Sequence, residues 1–435
     1  MTSGDVEIRE GHIEIVLRHR VGVMFQRGRR THTTAMTATK RITFVQAGNY
    51  AEAFNRFRAG GEETFFAQRY SVEFVAGLAE REDVEEIVQI CFTEDLHETT
   101  LPGGIRQLGI MQWPAGAPDR TQELIDLTLA QRPTHLIIKT PNTRLIRAAL
   151  KAGIDVYPLL ADSFQASGLK ARLRYWWLGR NLAHSKIRWV TNRNLNASHD
   201  LVRIGVPARK VVPFDWPPVV SPSDFSPKRQ AADAEAPRLL YVGQVRVEKG
   251  VGDLIDATAR LVAAGKQCRL SIIGDGDIEA LRQRAVEADI APSVEFLGKL
   301  GHSDVMRAMN EHDVVVVPSW HEYPEGMPNT IYEGLCSRTP LLVSDHPMFG
   351  ARVRHDRDCL VFSAKNVEAL SQSIQRLIAD PVLYAALSNN AEDACANYLV
   401  GAPWGDVITH WLGNTAEDDA WMADRSLAAD RFRER

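Results

Sequence analysis

The chain has 435 residues, of which 45% are hydrophobic and 24% charged, and a formal net charge of −4. That length exceeds one ordinary core and implies two domains, in a composition typical of soluble globular proteins. The balance of charge gives no global reason to expect nucleic acid, and no apolar run reaches the length of a membrane span. Cys91, Cys268, Cys336, Cys359 and Cys395 are scattered without a C-x-x-C pair, which excludes a zinc or disulfide framework and reads as buried thiols in a reducing, cytoplasmic setting.

Residues 1–40 are basic, with little acidic content after Glu14 and no apolar core for a secretory signal. Their Arg and Thr content permits a transit-peptide reading. Met36 sits just before the first convincing strand, which favours a poorly ordered tail or a start-site extension. Residues 41–215 then alternate short apolar runs with helix-like stretches. Strands are expected over 42–47, 86–92, 136–139, 156–160 and 188–191. A helix is expected over 62–80, where Phe65, Phe66, Tyr70, Phe74 and Leu78 recur at helical spacing, and others near 120–131 and 143–151. Such alternation implies a mostly parallel, doubly wound sheet.

Within this half, the stretch 170–189 interleaves Lys and Arg with Tyr175, Trp176, Trp177 and Trp189. Two readings fit: a peripheral contact with an anionic membrane surface, or an amphipathic core helix whose arginines snorkel to solvent. No recognised nucleic-acid module accompanies it.

Pro217, Pro218, Pro222 and Pro227 mark 216–237 as an interdomain linker. A second alternating series fills 238–400. Its strands are expected over 238–242, 269–273, 294–297, 314–317, 341–343 and 360–362. Its helices are expected near 251–264, 278–288, 303–310, 329–336, 367–379 and 382–398. Residues 401–435 read as a C-terminal helix and a charged tail that frays from about Thr415.

Four motifs of the second half carry chemistry. The run YVGQVRVEKG ends a strand at Gly243 and leads through Arg246, Lys249 and Gly250 into a helix. A helix N-terminus attracts anions, and Lys249 and Arg246 add charge-assisted bonds to a diphosphate; a solvated basic loop capping a helix fits too. SIIGDGD ends another strand at Gly274. Its Asp275 and Asp277 have the D-x-D form of metal-dependent sugar transferases, although Asp and Gly also dominate ordinary turns. FLGKL, ending at Leu300, offers backbone groups to a base or is a plain strand end.

The fourth motif, PSWHEYPEGMPNTIYEG, follows the buried-strand pattern of Val314, Val315, Val316 and Val317 and holds Glu325 and Glu333 as E-x7-E. It reads as strand, loop and helix N-terminus. Glu325 falls in the loop with Gly326, Met327 and Pro328, and Glu333 falls just inside the helix that Asn329 begins. Two carboxylates there accept hydrogen bonds from sugar or ribose hydroxyls. Glu322, in the same loop, lies outside the motif.

In that order these motifs resemble the second domain of family 4 retaining glycosyltransferases of the GT-B fold, over 238 to about 411. The resemblance implies two Rossmann-like domains facing across a cleft and a UDP-, GDP- or ADP-sugar donor, with no cofactor or metal. It gives Glu325 to the donor sugar's hydroxyls, Glu333 to the ribose and Lys249 to the diphosphate. Gly60 and Gly61 look like the family's glycine loop between its first strand and first helix. Asp162 stands where many members place a histidine; it either contacts sugar or caps the next helix.

The chain departs from the family at several positions. Gln244 replaces a usual arginine, Arg338 and Cys359 replace usual glycines, and the loop 345–352 lacks a usual glutamate. The expected activity is sugar transfer to an unidentified hydroxyl acceptor in polysaccharide or other glycoconjugate synthesis. The departures leave room for a non-catalytic sugar-nucleotide-binding subunit. A sugar-nucleotide epimerase of the same fold is the other rival.

Overall fold

The computed structural model describes residues 39–432 apart from 94, 112–118, 165–167, 324 and 351. The expected basic tail therefore lies outside the described residues, except that Lys40 already belongs to the first strand.

Two sheets organise the chain. In the first, β1 (Lys40–Ala47), β2 (Val84–Thr93), β3 (His97–Thr100), β4 (Arg106–Met111), β5 (His135–Ile138), β6 (Asp155–Leu160), β7 (Val190–Arg193) and β8 (Val211–Phe214) lie in the order β3-β4-β2-β1-β5-β6-β7-β8. Every pairing is parallel except the β3–β4 edge. The second sheet is parallel throughout. It comprises β9 (Arg238–Val242), β10 (Arg269–Ile273), β11 (Val294–Gly298), β12 (Val314–Val317), β13 (Leu341–Ser344) and β14 (Leu360–Phe362), ordered β11-β10-β9-β12-β13-β14. Its central β12 is four buried valines, the β-branched run that a strand covered on both faces requires.

The helices of the first half are α1 (Tyr50–Arg58), α2 (Gln68–Ala79), α3 (Thr121–Ala130), α4 (Thr143–Lys151), α5 (Leu169–Leu182) and α6 (Leu195–Arg203). Those of the second are α7 (Val251–Ala263), α8 (Ile278–Glu287), α9 (His302–Glu311), α10 (Asn329–Cys336), α11 (Val367–Ala379), α12 (Pro381–Asn389) and α13 (Ala391–Tyr398). Last come α14 (Trp404–Gly413) and α15 (Ala416–Asp424).

The chain ends by returning to its first half. Asp215 and Pro403 form a parallel bridge, Trp404 and Trp411 are fully buried, and Trp411 stacks on Tyr157 of β6 at 4.8 Å. α15 is not a frayed end: Thr415 and Asp418 form a reciprocal capping box, and Met422 is buried. One core lies between the halves, where Phe66, Ala67 and Ala197 of the first pack with Ile331, Tyr332 and Leu335 of α10.

Several differences from the sequence expectation fall in the first half. A short helix, α1, intervenes after β1, capped by Asn49, whose side chain accepts from the Glu52 amide. The pair Gly60–Gly61 therefore follows α1 instead of following β1 directly. The helix expected from residue 62 begins at Gln68, because Ala67 adopts a left-handed φ of 60° and the Gln68 side chain binds the Thr64 amide. The β3–β4 edge and β8 carry too few apolar alternations to stand out in sequence, although β8 is fully buried.

Candidate functional site

β9 and β12 are neighbours, so the loops leaving their C-terminal ends lie side by side. The Trp320 amide donates to the Glu248 carbonyl at 2.8 Å. Gly250, at φ +71°, closes the first loop against Pro318, and a Cβ there would run into the Pro318 carbonyl oxygen. Gly274, at φ +140°, is equally committed: a Cβ would strike the carbonyl of Gly243. The two strand ends are thus held at backbone contact, with the Gly243 amide bonded to Ile273 at 3.0 Å and the Gly274 amide to Gly298 at 2.8 Å.

This packing brings Lys249 and Glu325 together. The Lys249 ammonium pairs with Glu325 Oε1, and both side chains are buried or nearly so, at 13% and 8% exposure. Ser319 Oγ donates to the same Oε1 at 2.7 Å. Tyr323 lies beneath the ammonium, 4.5 Å from ring centroid to Nζ, and its hydroxyl donates to Gln244 Oε1 at 3.2 Å. Gln244 therefore orients an aromatic platform at the position where the family resemblance led us to expect arginine. Tyr241 donates to the Gln244 carbonyl at 2.6 Å. Burial, then the charge of Glu325, pushes its hydroxyl well up. Arg246 is exposed at the turn before Lys249, and its charge reaches Tyr323.

Glu333, on the first turns of α10, is buried and accepts from His302 Nε2 at 3.0 Å. His302 begins α9. Its Nδ1 lies 3.8 Å from Glu63 Oε2, and its amide donates to the Glu63 carbonyl at 3.2 Å. Ser303 Oγ adds a bond to Glu62 Oε2 at 2.9 Å. Burial pulls the imidazole down, but the bond and charge of Glu333, with the charges of Glu63 and Glu62, outweigh it and hold His302 above its ordinary value. The loop that Gly60 and Gly61 open thus reaches the start of α9 in the second half, where His302 links it to Glu333. The Gly61 carbonyl itself is held by Arg69 at 2.8 Å.

The remaining predicted residues line the same seam. Met327 is buried and Pro328 caps α10; Asn329 is gripped by Arg193 from β7. Thr330 Oγ1 donates to the Val242 carbonyl at 3.1 Å. A Cβ on Gly326 would lie 3.6 Å from the Ala161 carbonyl, so the Asp162 loop meets the Glu325 loop. Asp162 exchanges backbone bonds with the Asn192 amide, and burial raises its carboxyl. Leu300 is half-buried against the core between the halves. The Asp275 carboxylate pairs with Lys299 at 2.8 Å, and no cluster of three metal-ligating side chains exists among the described residues.

Sequence reasoning missed His302, Ser319, Tyr323 and His346. His346 donates from Nε2 to the Tyr323 carbonyl at 3.1 Å and accepts from the Met348 amide at 3.2 Å, and burial holds it below its ordinary value. Its position two residues past β13, at another strand's carboxyl end, was the available signal. Arg338, in contrast, points away from the site. It sits at φ +56° and binds the Pro222 carbonyl at 2.7 Å and Glu392 at 2.5 Å.

Solved structures share this architecture. Anabaena HepE, crystallised with UDP and glucose, superposes with a TM-score of 0.61 at 13% identity, covering 83% of this chain and 95% of that one. Sucrose-phosphate synthase of Thermosynechococcus elongatus gives 0.60 at 17% identity, covering 86% and 98%. The fold is GT-B. Within the GT-B frame, residues 222–394 match the family model described as glycosyl transferases group 1. Amylovoran biosynthesis glycosyltransferase AmsK of Erwinia amylovora is 26% identical over 183 residues, 41% of this chain and 44% of that protein. Alpha-D-kanosaminyltransferase of Streptomyces kanamyceticus is 27% identical over 176 residues, 40% of this chain and 45% of that protein. The chain thus spans under half the length of these curated relatives.

Proposed function

We propose that the protein is a retaining glycosyltransferase of the family 4 type, moving a sugar from a nucleotide-diphosphate sugar to an acceptor hydroxyl without a metal. One observation carries this reading. Each buried carboxylate of the E-x7-E pair holds its protein partners on Oε1 alone, Lys249 and Ser319 on Glu325 and His302 on Glu333. Among the described residues none bonds either Oε2, so each glutamate has an acceptor oxygen for a ligand hydroxyl. Glu325 Oε2 serves the donor sugar and Glu333 Oε2 the ribose.

The positive half of the site lies beside them. Lys249, Arg246 and the first turn of α10, which holds no acidic residue and no side-chain cap, suit a diphosphate. As the bond from the anomeric carbon to the diphosphate breaks, those groups stabilise the charge on the leaving oxygen. The acceptor hydroxyl attacks from the same face and gives its proton to that oxygen, so configuration is retained. Glu325 positions the sugar and is not a nucleophile. Asp162, half-buried where the two loops meet, contacts sugar from the first half. The HepE complexes with UDP and with UDP-glucose make a uridine donor the first to test.

The test is transfer from UDP-, GDP- and ADP-sugars to an acceptor panel, with the anomeric configuration of the product read by NMR and with chelator present. Transfer with retention, lost in Glu325→Ala, supports the reading. An inverted product, dependence on a divalent cation, or a changed sugar from donor alone sinks it.

A further inference from the structure

Helix α5 does not behave as a core helix. Only Leu178, Gly179 and Leu182, all in its second half, are buried. Leu169 is 82% exposed, Leu173 59%, Trp176 47% and Trp177 48%. Leu169, Leu173 and Trp176 follow the i, i+4, i+7 spacing of one helix face, so the exposed apolar groups form a stripe. Trp176 and Trp177 pack edge to face at 4.9 Å, which presents them as one aromatic block. Beside the stripe a groove of about 730 Å³ runs to Ile204 and Gly205, with Arg172 and Arg203 at its rim.

The charge on α5 itself has one sign. Residues 163–199 contain seven Lys or Arg and no Asp or Glu, in a chain whose net charge is −4. Lys170, Arg172, Arg174 and Arg180 are exposed and make no ion pair among the described residues. α4, which packs on α5, adds Arg147 and Lys151; its Arg144 is paired with Asp119 at 2.7 Å. Asp200, the acid nearest the groove, is buried beneath Arg203.

We propose that the outer face of α5 docks on an anionic lipid bilayer, with Trp176, Trp177, Leu169 and Leu173 entering the interface and the flanking Lys and Arg meeting the headgroups. Apolar area with a tryptophan pair is what an interfacial helix inserts, and basic flanks supply the attraction to anionic lipid. A soluble anion would use the arginines and leave the stripe in water. A purely apolar partner would leave the cations unmatched. The proposal stands on this surface and is read without turnover.

The experiment is co-sedimentation of the full chain with vesicles of phosphatidylcholine, with and without phosphatidylglycerol, at low and high salt. Binding is expected to the mixed vesicles, weakened by salt. It should fall about tenfold or more in Arg172→Glu/Arg174→Glu and in Trp176→Ser/Trp177→Ser. Both variants change exposed residues, and unchanged melting and donor binding verify that they fold. Equal binding of variants and wild type, binding indifferent to phosphatidylglycerol, or no binding at all overturns the proposal. So does a concentration-dependent dimer, or a complex with single-stranded RNA, that the tryptophan variant abolishes while vesicle binding persists.

Discussion

Around the E-x7-E segment charges are buried and met one to one: Lys249 by Glu325, and Glu333 by His302, which also faces Glu63. On α5 the charges are exposed, unpaired and all positive. The physics of the two arrangements differs. A desolvated pair is screened little by salt and fixes atoms in place, which suits recognition of one small ligand. An exposed run of cations is screened within a Debye length of about 10 Å at 0.1 M salt and recognises a surface instead of a molecule. On the two proposals above, the buried pairs would serve specificity and the exposed helix adhesion.

The largest effect belongs to the buried pair. Lys249→Ala and Glu325→Ala are each expected to lower transfer by about 100-fold to 1,000-fold, the usual loss when a preorganised electrostatic partner of the transition state is removed. Each also strands a charge in a site of 13% and 8% exposure, with a stability cost on the order of 3 kcal/mol. Glu325→Gln keeps the volume and the bond from Ser319 but still strands the Lys249 ammonium, so the double variant Lys249→Met/Glu325→Gln, which strands no charge, separates chemistry from folding. Steady-state transfer and melting, measured together at two salt concentrations, check this. If the losses shrank with salt as vesicle binding does, the contrast between the halves would fail.

Next comes Glu333. Its role in the proposed site is ground-state recognition of ribose, so Glu333→Ala is expected to raise donor KM by about tenfold to a hundredfold, with kcat changed less. The matching measurement uses a deoxyribose donor. Wild type should discriminate against it and the variant should not. Equal discrimination in both proteins would remove ribose from the assignment.

His302 links the halves, and its effect is carried by pH. Its imidazole is held above the ordinary 6.5, so the folded chain binds that proton more tightly than the unfolded chain. The stability it contributes is fully present below pH 6.5 and is lost as pH rises through the folded value. Burial also raises Glu63, but that carboxyl acts in a lower window beginning near 4.5. Melting temperature should therefore fall between pH 6.5 and 8 more steeply in wild type than in His302→Gln. Parallel curves would mean that the bridge between the Gly60–Gly61 loop and α10 holds no proton.

The second sheet was largely legible from sequence because it is parallel and buried on both faces, so its strands are short unbroken apolar runs ending in glycine. Lys249 and Glu325 each stood out as a charged residue in a loop leaving a strand end, the first beside Gly250, whose backbone packs on Pro318; their ion pair was not readable from spacing, because it depends on β9 and β12 being neighbours. The first half was harder. α1 is nine residues, and the β3–β4 edge pairs polar His97, Glu98, Thr99 and Thr100 with β4, a pattern close to that of loops. His302 could not be found from spacing, since its role depends on Glu63, which comes from the other half of the chain. α5 was readable in composition and ambiguous in meaning. Interleaved Arg and Trp fit a core helix and a membrane helix alike, and only the exposure of Trp176 and Trp177 separates them.

Arg338 is the position where the smallest effect on turnover is expected. It occupies a left-handed conformation, φ +56°, at the end of the helix that carries Glu333. Glycine would relieve a strain of about 1 kcal/mol there. Arginine instead binds the Pro222 carbonyl at 2.7 Å, Ser388 at 3.4 Å and Glu392 at 2.5 Å, tying the linker and α13 to the back of α10. Loss of buried bonds of this kind costs ~1–3 kcal/mol, so Arg338→Gly is expected to lower stability by about 1 kcal/mol net. Its turnover per folded molecule and its donor KM should match wild type, because the guanidinium faces the linker and the glutamate faces the cleft. A shift in KM with melting unchanged would show that Arg338 tunes Glu333 through the helix, and the departure from glycine would then belong to the site after all.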